Sequence, residues 1–539
     1  MSPELIAEVE EWIALDPDPK TASQLREWLD TGNEAKLREC FNGFLQFGTA
    51  GLRGPVGPGP SCMNRAVVHR AAAGIAAYMK QRGLTSVVIG RDARYGSEDF
   101  TEESAQVFSG AGMKVYILPR PLPTPVLAYA VNNLQADVGI MVTASHNPPQ
   151  DNGYKVYLGG VVDGVRYAGS QIVPPADVEI AAEIAKISAL APKGSDWEIL
   201  GEDSFTDYVK AAASLARSHH PIKVVYSAMH GVGSETIEAT FKAANFPPIE
   251  FVEEQRHPDP DFPTVQFPNP EEPGAIDLSL AHARKVDADI VIANDPDADR
   301  CAAAINDPAK GWRMLKGDEV GAILGHYIAT TMKESTIGKA FGNSIVSSSI
   351  LSKIAAHHGI EFKEVLTGFK WLAKIPNLRF GYEEALGYAV DALSVNDKDG
   401  ISAALMIAQC AAELKAEGRT MAEYLDEIAE LYGFHATEQI SIRVADIAQV
   451  DVVLSQLRKS PPDSVAGHAL TQIDDLMEPK DGLPPTNGLR YWFGPNIRVI
   501  IRPSGTEAKM KCYLEVCAPK ADATALLAAV SKDMKALLQ

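Results

Sequence analysis

"DVGIMVTASHNPPQDNGYKVY" (residues 137–157) runs from an unbroken apolar segment into a loop of Asn, Pro and Gly and out again into a second apolar segment. A short apolar run bounded by turn residues reads as a strand covered on both faces, the kind found inside α/β sheets. Ser145 and His146 stand where that strand ends, and ligands in open α/β sheets collect at the carboxyl ends of strands. The same grammar surrounds this stretch. "SVVIGRD" (86–92) reads as another buried strand, with helical spacing at 65–82 and 97–111.

The pattern restarts twice, from "IKVVYSAMHGVG" (222–233) through "ADIVIANDPDADR" (288–300), and from "NSIVSSSILSKIAAHHG" (343–359) through "LRFGYEEALGY" (378–388). Strand, glycine-bearing turn and helix at this pitch predict three successive α/β units. Residues 1–45 carry Leu, Ala, Glu and Trp at helical spacing and lead into a glycine-dense loop, "FGTAGLRGPVGPGP" (47–60). After about residue 437, "EQISIRVAD", "LRYWFGPNIRVIIRPSGTEAKMKCYLEVCAP" and a closing helix predict a smaller α+β domain with its strands grouped together, and 458–489 is its least patterned segment.

A chain of 539 residues exceeds the ~250–300 at which single cores stop growing, so about three or four domains are expected. Lys plus Arg is 50 against Asp plus Glu at 70, and the net charge of −20 argues against a nucleic-acid partner. The start, "MSPELIAEVEEWIALD", places acids where a signal peptide has basic residues. No apolar run reaches membrane-spanning length, which argues against a membrane partner. The six cysteines form no C-x-x-C pair and are too sparse for a disulfide framework, so a cytoplasmic protein is expected.

Four strand ends carry candidate chemistry. Around Ser145 the sequence lacks the glycines of a G-x-S-x-G elbow. Neighbours on an extended chain point to opposite sides, so His146 is not expected to deprotonate Ser145 as in a hydrolase triad. The bland reading of Ser145 is a loop cap. "NDPDADR" sets Asp295, Asp297 and Asp299 at alternate positions directly after "DIVIA". Three clustered carboxylates repel one another, and a hard cation with oxygen ligands resolves that. An EF-hand is excluded because its sixth and twelfth positions would be Arg300 and Asn306. A solvated acidic turn is the alternative.

"RPSGTEAKMKCY" follows the strand "IRVII". Arg502, Ser504, Gly505 and Thr506 offer a guanidinium, hydroxyls and backbone N–H groups suited to a phosphate, within a stretch from Arg498 to Lys511 that holds four basic residues and one acid. An ordinary glycine turn with solvated lysines is the alternative. "GYEEALGY" brings Glu383 and Glu384, which suit sugar hydroxyls but equally suit any surface. No Walker A sequence occurs, and "HGVGSET" has only the first two glycines of G-x-G-x-x-G, so nucleotide-driven kinase chemistry is not expected.

"TASHNP", "NDPDADR", the glutamate loop and "RPSGTE" stand in the order and spacing of the alpha-D-phosphohexomutases, which include phosphoglucomutases and phosphomannomutases; the chain resembles that family over nearly its whole length. "GTAGLRG", "TGFKW" and "YEEALG" are most similar to its phosphoglucomutase-2-type and phosphopentomutase branch. The resemblance implies four domains around a central cleft, three related α/β domains with mixed sheets and a smaller C-terminal α+β domain, here assigned to 1–200, 201–315, 316–437 and 438–539. It implies that Ser145 is a phosphoserine and a ligand of Mg²⁺ together with Asp295, Asp297 and Asp299. Arg53, His146, Lys155 and Arg300 would line the catalytic phosphate. Lys155 is the leading general-base candidate, since a lysine near other cations can have a lowered pKa, with His146 beside it. Arg502, Ser504, Gly505 and Thr506 would hold the non-reacting phosphate, while Gly368, Lys370, Glu383 and Glu384 would face the sugar.

The implied activity is interconversion of a hexose 1-phosphate and a hexose 6-phosphate, of glucose or mannose, with a sugar 1,6-bisphosphate as intermediate and activator. Many hexose-specific members have a serine where this chain has Ala385, which keeps a phosphopentomutase acting on ribose phosphates as a second reading. An inactive sugar-phosphate sensor is a third, against which Ser145, the three aspartates and Lys155 all speak. The expected partner is a phosphorylated sugar, on a monomer or dimer.

Overall fold

The computed structural model describes residues 1–444, 448–480, 482–504 and 509–538. The chain divides into two compact units: Met1–Leu315 with Phe369–Lys374 and Ala385–Arg419, and Lys316–Gly368 with Ile375–Glu384 and Thr420–Gln539.

Three leading helices, Pro3–Leu15, Pro19–Asp30 and Glu34–Cys40, open the first unit. A mixed sheet follows, in the order Leu52–Pro55, Asp151–Leu158, Val138–Val142, Ser86–Arg91, Lys114–Ile117, Glu198–Ile199. Val138–Val142 is buried at every position, as its unbroken apolar sequence requires of an interior strand. It runs parallel to Ser86–Arg91 and antiparallel to Asp151–Leu158, so the 143–150 loop is the turn that reverses the chain. The helices Arg65–Gln81, Ser97–Gly110 and Thr124–Asn133 fall where helical spacing placed the first two, and Asn64 caps the first of them by accepting the Val67 N–H at 2.9 Å. A second sheet in this unit has the order Glu250–Phe251, Val224–Ser227, Ile290–Ala293, Ala302–Asp307, Gly311–Met314, parallel across its first three strands and antiparallel after.

In the second unit, Glu361–Val365, Ala340–Ser344 and Leu378–Glu383 pair in parallel. The C-terminal part is an antiparallel sheet in the order His435–Arg443, Lys509–Cys517, Ile497–Pro503, Leu489–Phe493, His468–Asp475, Ser464–Val465, with the helix Lys520–Leu538 against it. Its inward residues, among them Tyr491, Phe493, Val499, Leu514 and Val516, form a core of their own with Leu454 and Val530. The segment without sequence pattern, 458–489, supplies the short hairpin Ser464–Val465 and His468–Asp475. The fold is thus three α/β domains followed by a β-rich domain. No helix among the described residues is long and apolar enough to cross a membrane.

A buried charge network ties the helical layer of the first sheet together. Glu103 receives Arg65 Nε at 2.9 Å and Lys193 Nζ at 2.6 Å, and lies 2.8 Å from His69 Nδ1. His69 Nε2 accepts the Ala191 N–H at 2.8 Å, which assigns the ring proton to Nδ1 and so to Glu103. Burial pushes the Glu103 carboxyl up, but His69, Lys193 and Arg65 outweigh it and hold its pKa at about 2. A depressed carboxylate pKa contributes stability that is present above its unfolded value and lost as pH falls toward the folded one. Glu103→Gln is therefore expected to destabilise the chain by about 3–5 kcal/mol at pH 7, as removal of one partner from a buried ionic group does. Urea denaturation should show that difference shrinking between pH 4.5 and 2; a pH-independent difference would refute the ionic account.

Candidate active site

The first unit gathers Arg53, Ser145, His146, Lys155, Asp295, Asp297, Asp299 and Arg300. Ser145 Oγ donates to Asp295 Oδ2 at 2.8 Å, and the contact joins the carboxyl ends of Val138–Val142 and Ile290–Ala293, 150 residues apart in sequence. Ser145 has φ 51°, the left-handed region, at a cost of about 1–3 kcal/mol for a residue with a Cβ. This conformation corrects one expectation. On an extended chain His146 would face away from Ser145, but the left-handed turn brings His146 Nδ1 to 3.2 Å from Ser145 Oγ.

Arg94, which carries no recognisable motif, holds this turn in place. Its Nη2 donates to the carbonyls of Ser145 and Asn147, both at 2.7 Å, and its Nη1 to those of Pro148 at 2.8 Å and Asp151 at 3.1 Å. Asp92 lies 3.3 Å from Arg94 Nε, so a buried ion pair aims the guanidinium. Arg53 donates to Asn147 Oδ1 at 3.1 Å, next to the same turn.

The three aspartates are buried, and one carboxylate oxygen from each lies within 4.8 Å of the others. Lys155 Nζ donates to Asp297 Oδ2 at 2.6 Å and Asp299 Oδ2 at 2.8 Å, and Lys398 Nζ lies 3.4 Å from Asp299 Oδ2. Thr124, the first residue of its helix, donates its hydroxyl to Asp297 Oδ2 at 2.5 Å and its N–H to the Asp297 carbonyl at 2.9 Å. Arg300 N–H donates to Asp295 Oδ1 at 3.0 Å, while its guanidinium lies 3.7 Å from Glu271. Sequence reading missed Lys398, Thr124 and Arg94. Lys398 stands in "NDKDG", an acid-flanked lysine before a helix, and that is the only local signal any of them gives.

Electrostatics separates the groups. Burial, then Asp297 and Asp299, push the Asp295 carboxyl well above its ordinary value. Asp299 is also opposed by burial, but Lys155, Lys398 and Arg300 bring it far below. His146 is lowered well below its ordinary value by burial and by Arg300 and Arg53, so it is a neutral imidazole at pH 7. The expected lowering of Lys155 is reversed. Burial pushes its ammonium down, but Asp297 and Asp299 outweigh that and raise it.

Asp297 Oδ1 and Asp299 Oδ1 are buried with no hydrogen-bond partner among the described residues. Two anionic oxygens left this way, beside Asp295 and the Ser145 hydroxyl, form an all-oxygen donor set that fits Mg²⁺.

"HGVGSET" has a structural role here. A Cβ on Gly231 would lie 2.3 Å from Pro296 Cα and O, and Val232 N–H donates to the Pro296 carbonyl at 2.8 Å, so the glycine lets this turn press against the aspartate loop.

The remaining candidates lie elsewhere. Lys370 belongs to the first unit and donates to the Thr49 hydroxyl of the glycine-dense loop. In the second unit, Glu383 Oε1 accepts the Gly368 N–H at 2.6 Å, and Glu384 Oε2 accepts from Ser347 at 3.2 Å and Ser344 at 3.3 Å. Burial raises the Tyr513 hydroxyl, as do Glu384 and Glu383, while Arg502 hydrogen-bonds it and opposes them; the glutamate loop and Arg502 therefore meet around one tyrosine. Ser504 N–H donates to the Lys509 carbonyl at 2.8 Å. Gly505 and Thr506 lie outside the described residues.

Gly231→Ala is expected to displace the aspartate loop and to raise the Mg²⁺ concentration for half-maximal turnover roughly 10–100-fold, as loss of support around metal ligands does. An unchanged Mg²⁺ titration would show that the close approach does not set the loop.

Three family models match consecutive parts of the chain: phosphoglucomutase/phosphomannomutase domain I at residues 45–190, domain II at 203–310 and domain III at 316–432, each described as alpha/beta/alpha. The chain is 43% identical over 488 residues to a probable phosphomannomutase of Haemophilus influenzae, covering 88% of this chain and 98% of that one. It is 35% identical over 579 residues to a phosphopentomutase of Mus musculus, covering 96% and 91%. Among solved structures, parafusin from Paramecium, a phosphoglucomutase in its open form, shares the fold at TM-score 0.72 and 18% identity, covering 92% of this chain and 94% of that one. With matching models over its three α/β domains and relatives along nearly its full length, the chain belongs to the phosphoglucomutase/phosphomannomutase family, the alpha-D-phosphohexomutases, whose members are isomerases that shift a phosphoryl group.

Proposed function

We propose that the chain interconverts hexose 1-phosphate and hexose 6-phosphate, of glucose or mannose, with Ser145 as phosphoryl carrier and a sugar 1,6-bisphosphate as intermediate. The observation that carries this reading is the contact of Ser145 Oγ with Asp295, at the mouth of a three-aspartate cluster that fits Mg²⁺. The 43% identity to a probable phosphomannomutase over 98% of its length supports the hexose substrate.

Phosphoserine145 would give its phosphoryl group to the free hydroxyl of a sugar monophosphate, the bisphosphate would turn end for end, and its other phosphate would return to Ser145. Mg²⁺, when bound, offsets charge on the transferring group. Asp295, Asp297, Asp299 and Ser145 would hold it. Arg53 and Arg300 would neutralise the phosphoryl oxygens, since positioning and charge neutralisation supply most of the rate in phosphoryl transfer. Proton transfer at the sugar hydroxyl would divide between His146, whose neutral ring can accept, and Lys155, whose ammonium can donate. Arg502 and Ser504, with Gly505 and Thr506, would grip the non-reacting phosphate; Glu383 and Glu384, with Gly368 and Lys370, would orient the sugar. The division into 1–200, 201–315, 316–437 and 438–539 is part of this proposal, as is a cytoplasmic setting, in keeping with six cysteines that are all free.

Phosphopentomutase is the second reading, favoured by Ala385 and by 35% identity to a mouse phosphopentomutase across 96% of this chain. Coupled assays with glucose 1-phosphate, mannose 1-phosphate and ribose 1-phosphate, primed with a sugar bisphosphate, should give the higher kcat/KM for a hexose. A clear preference for ribose 1-phosphate would favour the second reading, and turnover of none would remove both. Intact-mass measurement after bisphosphate treatment should show one phosphate adduct that Ser145→Ala abolishes. Arg502→Ala should raise KM roughly 10–100-fold, the worth of a charged hydrogen bond to the non-reacting phosphate; an unchanged KM would remove that role.

A further inference from the structure

The second unit holds a side-chain constellation of a different chemical kind, outside the aspartate cluster and unused by the mutase reading. Glu515 and Cys517 are two apart on the strand Lys509–Cys517 and so share one face, and His435, the first residue of His435–Arg443, pairs directly opposite Cys517. Glu515 Oε1 lies 2.9 Å from His435 Nδ1, Cys517 Sγ 3.1 Å and Ser349 Oγ 3.4 Å. One ring nitrogen thus faces three partners, more than a single N–H or lone pair can satisfy.

The carboxylate is fixed from behind. Arg498 holds Glu515 Oε2 at 2.8 Å, and Ser348 Oγ and Ser349 N–H reach Oε1 at 2.7 and 2.8 Å, the kind of outer hydrogen bonding that orients a ligating carboxylate. Cys517 is partly exposed, and Ser349, His435, Arg498, Glu515 and Cys517 all line a groove of about 1300 Å³ that gives access and room for a water ligand. A cysteine nucleophile of the triad type is not what this geometry provides, because thiol and carboxylate crowd the same ring nitrogen instead of opposite ones.

We propose that His435 Nδ1, Glu515 Oε1 and Cys517 Sγ form a binding site for a borderline-soft divalent cation, with Zn²⁺ the best match, its fourth position open to the groove. Imidazole and thiolate donors select such ions over Mg²⁺, so the site is separate in chemistry from the aspartate cluster. Tetrahedral Zn²⁺ with N, O and S ligands sets donor separations of about 3.4–3.6 Å. The observed separations of 2.9 and 3.1 Å would widen by about half an ångström to reach these values. Binding would release both the Cys517 thiol proton and the His435 Nδ1 proton to solvent, freeing the sulfur and the ring nitrogen to ligate the ion.

The test is Zn²⁺ titration of the chelator-treated full chain in millimolar Mg²⁺, against a chromophoric competitor. Wild type should take up one Zn²⁺ per chain that Mg²⁺ does not displace. Cys517→Ala should weaken it by at least roughly 100-fold, beyond the 10–100-fold typical of losing an outer partner, whereas Asp297→Asn should leave it unchanged. No uptake by wild type, or equal uptake by Cys517→Ala, overturns the proposal. Should Cys517→Ala fail to fold, alkylation of wild-type Cys517, followed by peptide mass, decides: protection by Zn²⁺ but not Mg²⁺ supports the site, and no protection overturns it. The readout is metal binding, so it stands or falls independently of the mutase reading.

Discussion

Mutual repulsion among Asp295, Asp297 and Asp299 is the constraint from which the first unit is arranged. Their oxygens lie within 4.8 Å, where each pair of full charges costs about 3–4 kcal/mol at an effective dielectric of about 20. Burial removes the water that would otherwise relieve this. The chain answers with charge and a hydrogen bond drawn from distant elements: Lys155 from the strand after the serine loop and Lys398 from the loop before the helix Gly400–Ala416 bring the charge, and the Thr124 hydroxyl at a helix start donates the hydrogen bond. Even so, two carboxylate oxygens stay without partners among the described residues, while Asp295 is driven toward its neutral form. A cluster only partly neutralised by its own chain is suited to holding a dication.

Such a cluster needs a rigid backbone. Ser145 and Ala298 both adopt left-handed conformations, one on each loop, and neither is glycine. Strain of this kind persists only where the surroundings enforce it. Arg94 does so for the serine loop through four carbonyls, and the Gly231 turn does so for the aspartate loop through its contact with Pro296. Three cationic side chains near the serine loop thus do different work: Arg94 is spent on backbone, while Arg300 and Arg53 help to keep the His146 ring neutral.

The sequence made the architecture readable because strand and helix announce themselves locally. The all-apolar 138–142 run, the helical spacing of 65–82 and the alternate aspartates after "DIVIA" each carry their meaning within a few residues. What depends on distant pairs was not readable. Arg94 looks like any loop arginine until residues 145–151 fold over it, and Lys398 reaches Asp299 from 99 positions away in the chain. The reversed pKa of Lys155 has the same origin. Asp297 and Asp299 are visible in sequence, but their contact with the ammonium, and the burial that they outweigh, are brought by the fold. The hairpin within 458–489 was missed because its strands are mostly half-exposed and lack an apolar run.

The two clusters of cation-type donors among the described residues make the same point about strand geometry. Asp295, Asp297 and Asp299 alternate beyond the end of one strand, so a single turn can collect them, and a D-x-D-x-D pattern shows in the sequence. His435 and Cys517 meet by cross-strand register between the first two strands in the order of the C-terminal sheet, although 82 residues separate them in the chain. Only Glu515 and Cys517, at the two-residue period of one strand, leave a trace in sequence, and alone they resemble any polar edge. Hard oxygen donors thus come from local chain reversal and mixed N, O and S donors from register. The chemistry of each set follows from how its residues are brought together: a turn of aspartates can supply only oxygen, whereas opposed strands can juxtapose side chains of any kind.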